Sequence, residues 1–319
     1  MSGATASLLP VREVGRVACG CELAESPLWI VGSPRSGTLL WVDVPRGTLH
    51  HLAGEQHEEQ VLVKGALAAI AGPMMGRLIA VGDRSVYAIA DVDVADASRV
   101  AVVAEIPDDP PGVVFNDAKE GPDGRVWLAT VSRNTIGGAA LWTYATQEGL
   151  VLRRPGVSHG NGLGWNAAAT RMHFVDSGAG TLTSTRFDSA SAAIGAVEFQ
   201  LAIPREDGIP DGLAVDAEDC VWLALWGGHG LLRISPSGSI LGRVDLPELN
   251  VTSCAFVGPG LATLAVTTAA DDVDPSAPGG DVHLLDVGVA GAAVGASEST
   301  VRRRQHDRQS SHSGSTAKE

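Results

Sequence analysis

The 319-residue chain carries 37 acidic against 23 basic residues, a formal net charge of −14, which argues against a nucleic-acid backbone or an anionic membrane as its main partner. Its 45% hydrophobic residues, 39 glycines and 17 prolines are those of a globular, turn-rich protein and exclude a chain disordered throughout. No run of about 18 apolar residues occurs, Met1 to Pro10 lacks a basic flank followed by an apolar core, and Cys19, Cys21, Cys220 and Cys254 form no C-x-x-C pair. The expectation is a soluble cytoplasmic protein, a monomer or small homo-oligomer, whose cysteines pack as small hydrophobes.

In chain order, residues 11–21 have strand character and precede the first repeat, so residues 1–21 are expected to form a segment that closes a ring by pairing with the last unit. Residues 39–44, 77–81, 85–89, 125–130 and 220–225 are short β-branched or aromatic runs bounded by turn residues. Pro122-Asp123-Gly124 and Pro236-Ser237-Gly238 supply the dihedrals of tight turns between them. No segment before the tail sustains a 3.6-residue apolar period with caps at both ends, so the crossover helices of an α/β fold are missing. Residues 291–319 read as a C-terminal extension, with 302–319, Arg302-Arg303-Arg304 onward, as a disordered tail.

Four segments place an oxygen-bearing side chain beside a strand-like run: Glu25-Ser26-Pro27-Leu28-Trp29, Phe115-Asn116-Asp117, Asn161-Gly162-Leu163-Gly164-Trp165 and Pro210-Asp211-Gly212-Leu213. Asn161 follows Asn116 by 45 residues, Asp211 follows Asn161 by 50, and Ser253, heading a similar segment, follows Asp211 by 42. Such intervals are those of propeller blades, and six units can be drawn at 25–54, 65–95, 115–149, 159–195, 209–239 and 251–288. The fold expected is all-β, a six-bladed β-propeller over residues 22–290 with a central metal site. Two carboxylates with amide oxygens suit one divalent ion, Ca²⁺, Mg²⁺, Mn²⁺ or Zn²⁺.

The segments resemble those of the senescence marker protein, gluconolactonase and luciferin-regenerating enzyme family, often called regucalcin-like. Phe174-Val175-Asp176-Ser177, Ala224-Leu225-Trp226-Gly227-Gly228 and Thr252-Ser253-Cys254 extend the likeness in the same order, over roughly residues 22–290. The resemblance implies Glu25, Asn161 and Asp211 as metal ligands, with Asn116 at the metal or the substrate. It implies hydrolytic opening of a lactone, for which Asp211 would take a proton from the attacking water.

Two departures bear on the substrate. The arginine that the family places before F-N-D is Val114 here, and an acidic substrate contact falls near Asn134, which points away from a polyhydroxylated sugar lactone. Trp29, Trp226 and Val114 are expected to shape the pocket. Of two histidines near the motifs, His229 is expected to face it in preference to His159. Gly156-Val157-Ser158-His159-Gly160 matches G-x-S-x-G but is followed by poor helix formers, so Ser158 is not read as a nucleophile. The expected activity is metal-dependent hydrolysis of a lactone or related cyclic ester, with a small molecule as partner. The alternative is a propeller that keeps the metal for binding, or for a specialised biosynthetic step, without hydrolysis.

Overall fold

A computed structural model describes residues 6–31, 37–74, 77–90, 100–107, 111–274 and 276–293. The tail expected at 302–319 lies outside the described residues. The chain folds as the six-bladed propeller that the spacing predicts, six four-stranded antiparallel sheets in a closed ring.

Strand β1 (Arg12–Val17) precedes the first blade. Blade 1 is β2 (Ala24–Val31), β3 (Gly37–Asp43), β4 (Thr48–Ala53) and β5 (Gln56–Val61), and blade 2 is β6 (Ala69–Met74), β7 (Arg77–Gly82), β8 (Ser85–Ile89) and β9 (Val100–Glu105). Blade 3 is β10 (Val113–Glu120), β11 (Val126–Ser132), β12 (Ala139–Ala145) and β13 (Gly149–Val157). Blade 4 comprises β14 (Gly160–Trp165), β15 (Arg171–Asp176), β16 (Thr181–Asp188) and β17 (Ala193–Ala202), and blade 5 β18 (Ile209–Val215), β19 (Val221–Trp226), β20 (Gly230–Ile234) and β21 (Ile240–Asp245). In blade 6, β22 (Asn250–Val257), β23 (Thr263–Ala269) and β24 (Val282–Asp286) take β1 as their fourth strand, Arg12 opposite Asp286 and Val17 opposite Val282.

The second strand of each blade reads as an almost continuous apolar run because both of its faces are covered. Along β3, Leu40 and Val42 pack with Ile70 and Leu78 of blade 2, whereas Leu39 and Trp41 pack with Ala265 and Val282 of blade 6. The same alternation recurs around the ring, so an apolar cluster fills every junction between adjacent blades. Innermost strands β2, β6, β10, β14, β18 and β22 touch one another in a full circle around the axis. No helix among the described residues is long and apolar enough to cross a membrane.

Each of blades 1 to 5 runs past the unit drawn from sequence because of its outermost strand. Gln56–Val61 and Ala193–Ala202 are exposed along most of their length, and a strand wet on both faces carries no apolar alternation to detect.

Candidate functional site

The site begins with a defect shared by all six innermost strands. Pairing with the second strand slips between Glu25 and Leu28, Ala71 and Met74, Phe115 and Asp117, Gly160 and Leu163, Pro210 and Leu213, and Val251 and Ser253. A bulge inserts residues that escape the ladder and re-aims their side chains. Here the bulges bring Glu25, Asn116, Asn161 and Asp211 to the wall of one cavity.

The motif residues beside them have local reasons. A side chain at Gly162 would put its Cβ 2.6 Å from the Asp211 carbonyl, and one at Gly212 would put it 2.1 Å from Ser253 Oγ. Glycine is therefore needed for the close approach of neighbouring inner strands, not for a turn. Ser26 sits at φ 55°, a left-handed conformation that its hydroxyl secures by donating to Ile70 O and accepting from Ile70 N–H, both at 3.0 Å.

Asp211 and Asn161 are buried, Glu25 and Asn116 are half-buried at the cavity wall, and Asp117 is half-buried beside them. Burial raises Glu25 well above the ordinary carboxylate range, and Asp211 and Asp117 push it further. Burial likewise raises Asp211, reinforced by Asp117 and partly offset by Asn161 and the Gly212 N–H. Asp117 is raised to about 6 by burial, against the pull of Lys119 and the Ala118 N–H. Three carboxylates thus share one lysine, whose Nζ is already donating to Leu213 O at 3.0 Å.

The amides are oriented to complement that charge. Asn116 Nδ2 donates to Gly160 O at 3.0 Å, and Asn161 Nδ2 donates to Ser177 Oγ at 3.2 Å, which in turn donates to Pro210 O at 2.6 Å. Each amide nitrogen is thereby engaged with protein, and neither amide oxygen receives a hydrogen bond from another described residue. A donor set of carboxylate and amide oxygens, short of positive charge, fits a hard divalent cation.

The two amides and two of the three carboxylates line a cavity of about 430 Å³, and Asp117 lies outside its wall. Glu25, Asn116, Asn161, Asp211 and Trp226 all face it. Val114 and His229 do not, contrary to the expectation for each: Val114 pairs with Val131 within blade 3, and His229 is exposed in a turn at φ 54°, its N–H on Leu249 O and its carbonyl on Leu246 N–H. Trp29 lies further along its strand and lines a second, largely apolar cavity of about 340 Å³.

Sequence reasoning passed over three contributors. His159 lines the cavity, its backbone N–H held by Asp176 Oδ1 at 3.0 Å; burial lowers its pKa, with Asp176 opposing, so the imidazole is neutral near pH 7. Asp117 escaped because simple alternation sends it away from Asn116, whereas the bulge between Phe115 and Asp117 brings it to the cluster. Arg205 lines the rim from a 3₁₀ turn, Arg205–Asp207, between blades 4 and 5; it makes no ion pair or side-chain hydrogen bond among the described residues, and no motif marks it.

Fold and site together define a closed propeller with an axial, carboxylate-lined small-molecule cavity. Residues 23–270 match the family model described as the SMP-30/Gluconolactonase/LRE-like region, and the chain belongs to that family. It is 34% identical over 272 residues to pentonolactonase XacC of Haloferax volcanii, covering 85% of this chain and 89% of that protein. It is also 27% identical to regucalcin of Xenopus laevis over 286 residues, 85% of this chain and 93% of that one. Among solved structures, a luciferin-regenerating enzyme superposes with a TM-score of 0.77 at 24% identity, over 90% of this chain and 99% of that one. A calcium-binding regucalcin of Agrobacterium tumefaciens superposes at 0.75 and 23% identity, over 91% and 97%.

Proposed function

We propose that the protein is a divalent-metal-dependent lactonase acting on a small polar lactone. The observation that carries this reading is the convergence of Glu25 and Asp211 with two oriented amides on one cavity, with Asp117 close enough to raise both carboxylates. Glu25, Asn161 and Asp211 would hold the ion, and Asn116 would present its oxygen to the ion or the substrate. When bound there, a divalent cation supplies Lewis acidity toward a lactone carbonyl and acidifies a water.

The chain's own residues then do the following. Asp211, kept basic by burial and by like charges, accepts the proton of the attacking water. The carbonyl carbon gains the water oxygen, the ring C–O bond breaks, and the departing ring oxygen takes back one proton to give a hydroxy acid. His159, a neutral imidazole on the same wall, is suited to passing protons between cavity and solvent. Arg205 gives the rim a guanidinium for substrate hydroxyls or the product carboxylate. It supplies the donor that Val114 cannot, which favours a polyhydroxylated lactone, as does the relation to a pentonolactonase. The test is Asp211→Ala, assayed for bound metal and for hydrolysis of five- and six-membered aldonolactones. Loss of both is expected, and undiminished turnover would sink the assignment.

A further inference from the structure

Away from the axis, where the segment after β1 meets blades 1 and 6, a second group of metal-ligating side chains is gathered. Cys21 Sγ, an oxygen of Asp43 and a ring nitrogen of His50 lie within 4.8 Å of one another, and all three residues are buried. Cys19 Sγ is 3.5 Å from Cys21 Sγ, and Cys21 Sγ is 3.6 Å from His50 Nε2. Tetrahedral zinc with bonds of about 2.3 Å to sulfur and about 2.0–2.1 Å to nitrogen sets these edges at roughly 3.8 and 3.5 Å.

The surroundings are those of a ligand set. His50 Nδ1 faces His57 Nε2 at 3.1 Å and Glu59 Oε2 at 3.5 Å, so the tautomer with its proton on Nδ1 satisfies the Glu59 carboxylate and leaves Nε2 free toward Cys21. The His50 ring is restrained by near-parallel packing with Trp41, 5.2 Å away, and His57, 5.3 Å away, which also pack on each other at 5.1 Å. Asp43 is oriented by the N–H groups of Glu22 and Leu23 and by Arg46, 3.1 Å away, which would also offset the excess negative charge of two thiolates and a carboxylate. Trp41 Nε1–H is buried, has no oxygen or nitrogen acceptor and is directed toward the Cys21 sulfur.

We infer that Cys19, Cys21, His50 and Asp43 form a second metal site, for a thiophilic divalent ion of the zinc type, distinct from the hard-oxygen cavity on the axis. Binding releases the two thiol protons and links three parts of the ring closure. The cysteines lie on the segment after β1, His50 and Asp43 on blade 1, and Cys21 N–H and Cys19 Sγ both reach Gly280 O beside blade 6. This inference does not depend on the lactonase reading.

Co²⁺ separates the two sites, because only thiolate ligation produces a sulfur-to-cobalt charge-transfer band. The full chain, reduced and stripped with chelator, is titrated with Co²⁺ as wild type, Asp211→Asn, Cys21→Ala, Cys19→Ser and His50→Gln, with circular dichroism to verify folding. The expected result is a charge-transfer band saturating at one equivalent in wild type and in Asp211→Asn, bleached by Zn²⁺. That band is expected to be absent from folded Cys21→Ala and at least tenfold weaker in binding in Cys19→Ser and His50→Gln. Zn²⁺ is expected to raise the Tm of Asp211→Asn by several degrees. No sulfur-to-cobalt band in wild type, or a band that persists in both Cys21→Ala and His50→Gln, overturns the site. So does a Cys19–Cys21 disulfide with no metal uptake after reduction.

Discussion

Asp211 and Asp216 stand five residues apart, one in β18 and one in the turn that follows it, and their surroundings are opposite. Asp216 is fully buried and fully answered: Oδ1 accepts from the N–H groups of Glu218 and Cys220 at 2.9 and 3.0 Å. Its Oδ2 accepts from Trp222 Nε1 at 3.0 Å and from Arg233 at 2.9 and 2.7 Å. Blade 3 repeats the device, with Asp123 accepting from Trp127 Nε1 at 3.1 Å beside Arg125. Asp211, by contrast, faces two other carboxylates, and no cation among the described residues pairs with it. A buried carboxylate that the chain satisfies itself holds the blade together. One left in deficit is poised for something the chain does not contain.

A matched pair of substitutions would break the comparison most sharply. Asp216→Asn is expected to cost about 3–5 kcal/mol of stability, because Arg233 loses its buried charge partner and keeps only the exposed Glu218, and an amide NH₂ meets donors already pointing at it; chemical denaturation measures it. Asp211→Asn is expected to leave the metal-free Tm unchanged or raised while lowering kcat/KM about 100- to 1000-fold, or about 3–4 kcal/mol of transition-state stabilisation. Equal stability losses at the two positions would remove the distinction. Arg205→Ala is a smaller perturbation at the rim, expected to cost about ten- to thirtyfold in kcat/KM, carried mainly by KM and recovered in part by Lys.

The smallest effect concerns Asp117. Its folded-state pKa of about 6 exceeds the ordinary 3.8, so its contribution to stability is full below that lower value and is lost as pH rises through the upper one. Asp117→Asn should therefore raise the Tm of the chelated protein more at pH 7.5 than at pH 5. Saturating Ca²⁺ or Mn²⁺ should narrow that difference. A pH-independent gain would mean that Asp117 is not charged at neutral pH.

Legibility in the sequence followed the same physical division. The ring and its repeat could be read because each inner bulge carries its own signature: a polar residue to present, glycine where strands crowd, and an apolar run after it. Glu25, Asn116, Asn161 and Asp211 stood out for that reason. Asp117 was masked by the assumption of strict alternation, which a bulge suspends. His229 was favoured over His159 on loop position, yet its turn conformation spends its backbone on Leu246 and Leu249 and leaves the ring in solvent. Arg205 reaches the rim through the path of a connection between blades, and the outermost strands lack a buried face to pattern them. The Cys19–Cys21 pair carried no recognisable spacing motif, since its partners His50 and Asp43 are brought in by blade 1.

The strand that closes the ring also sets an order of events. β1 is the first of the twenty-four strands among the described residues, yet the residue that pairs with Arg12 lies 274 positions later. During synthesis β1 waits on the order of tens of seconds for its partner, while blades 1 to 5 can complete themselves from local hairpins. Its alternating load of Arg12, Glu13 and Arg16, later matched by Asp286, His283, Asp281 and Glu248, keeps a lone edge from recruiting a neighbouring chain in the interval. The sheet of blade 6 is therefore completed only when the two ends of the described fold meet.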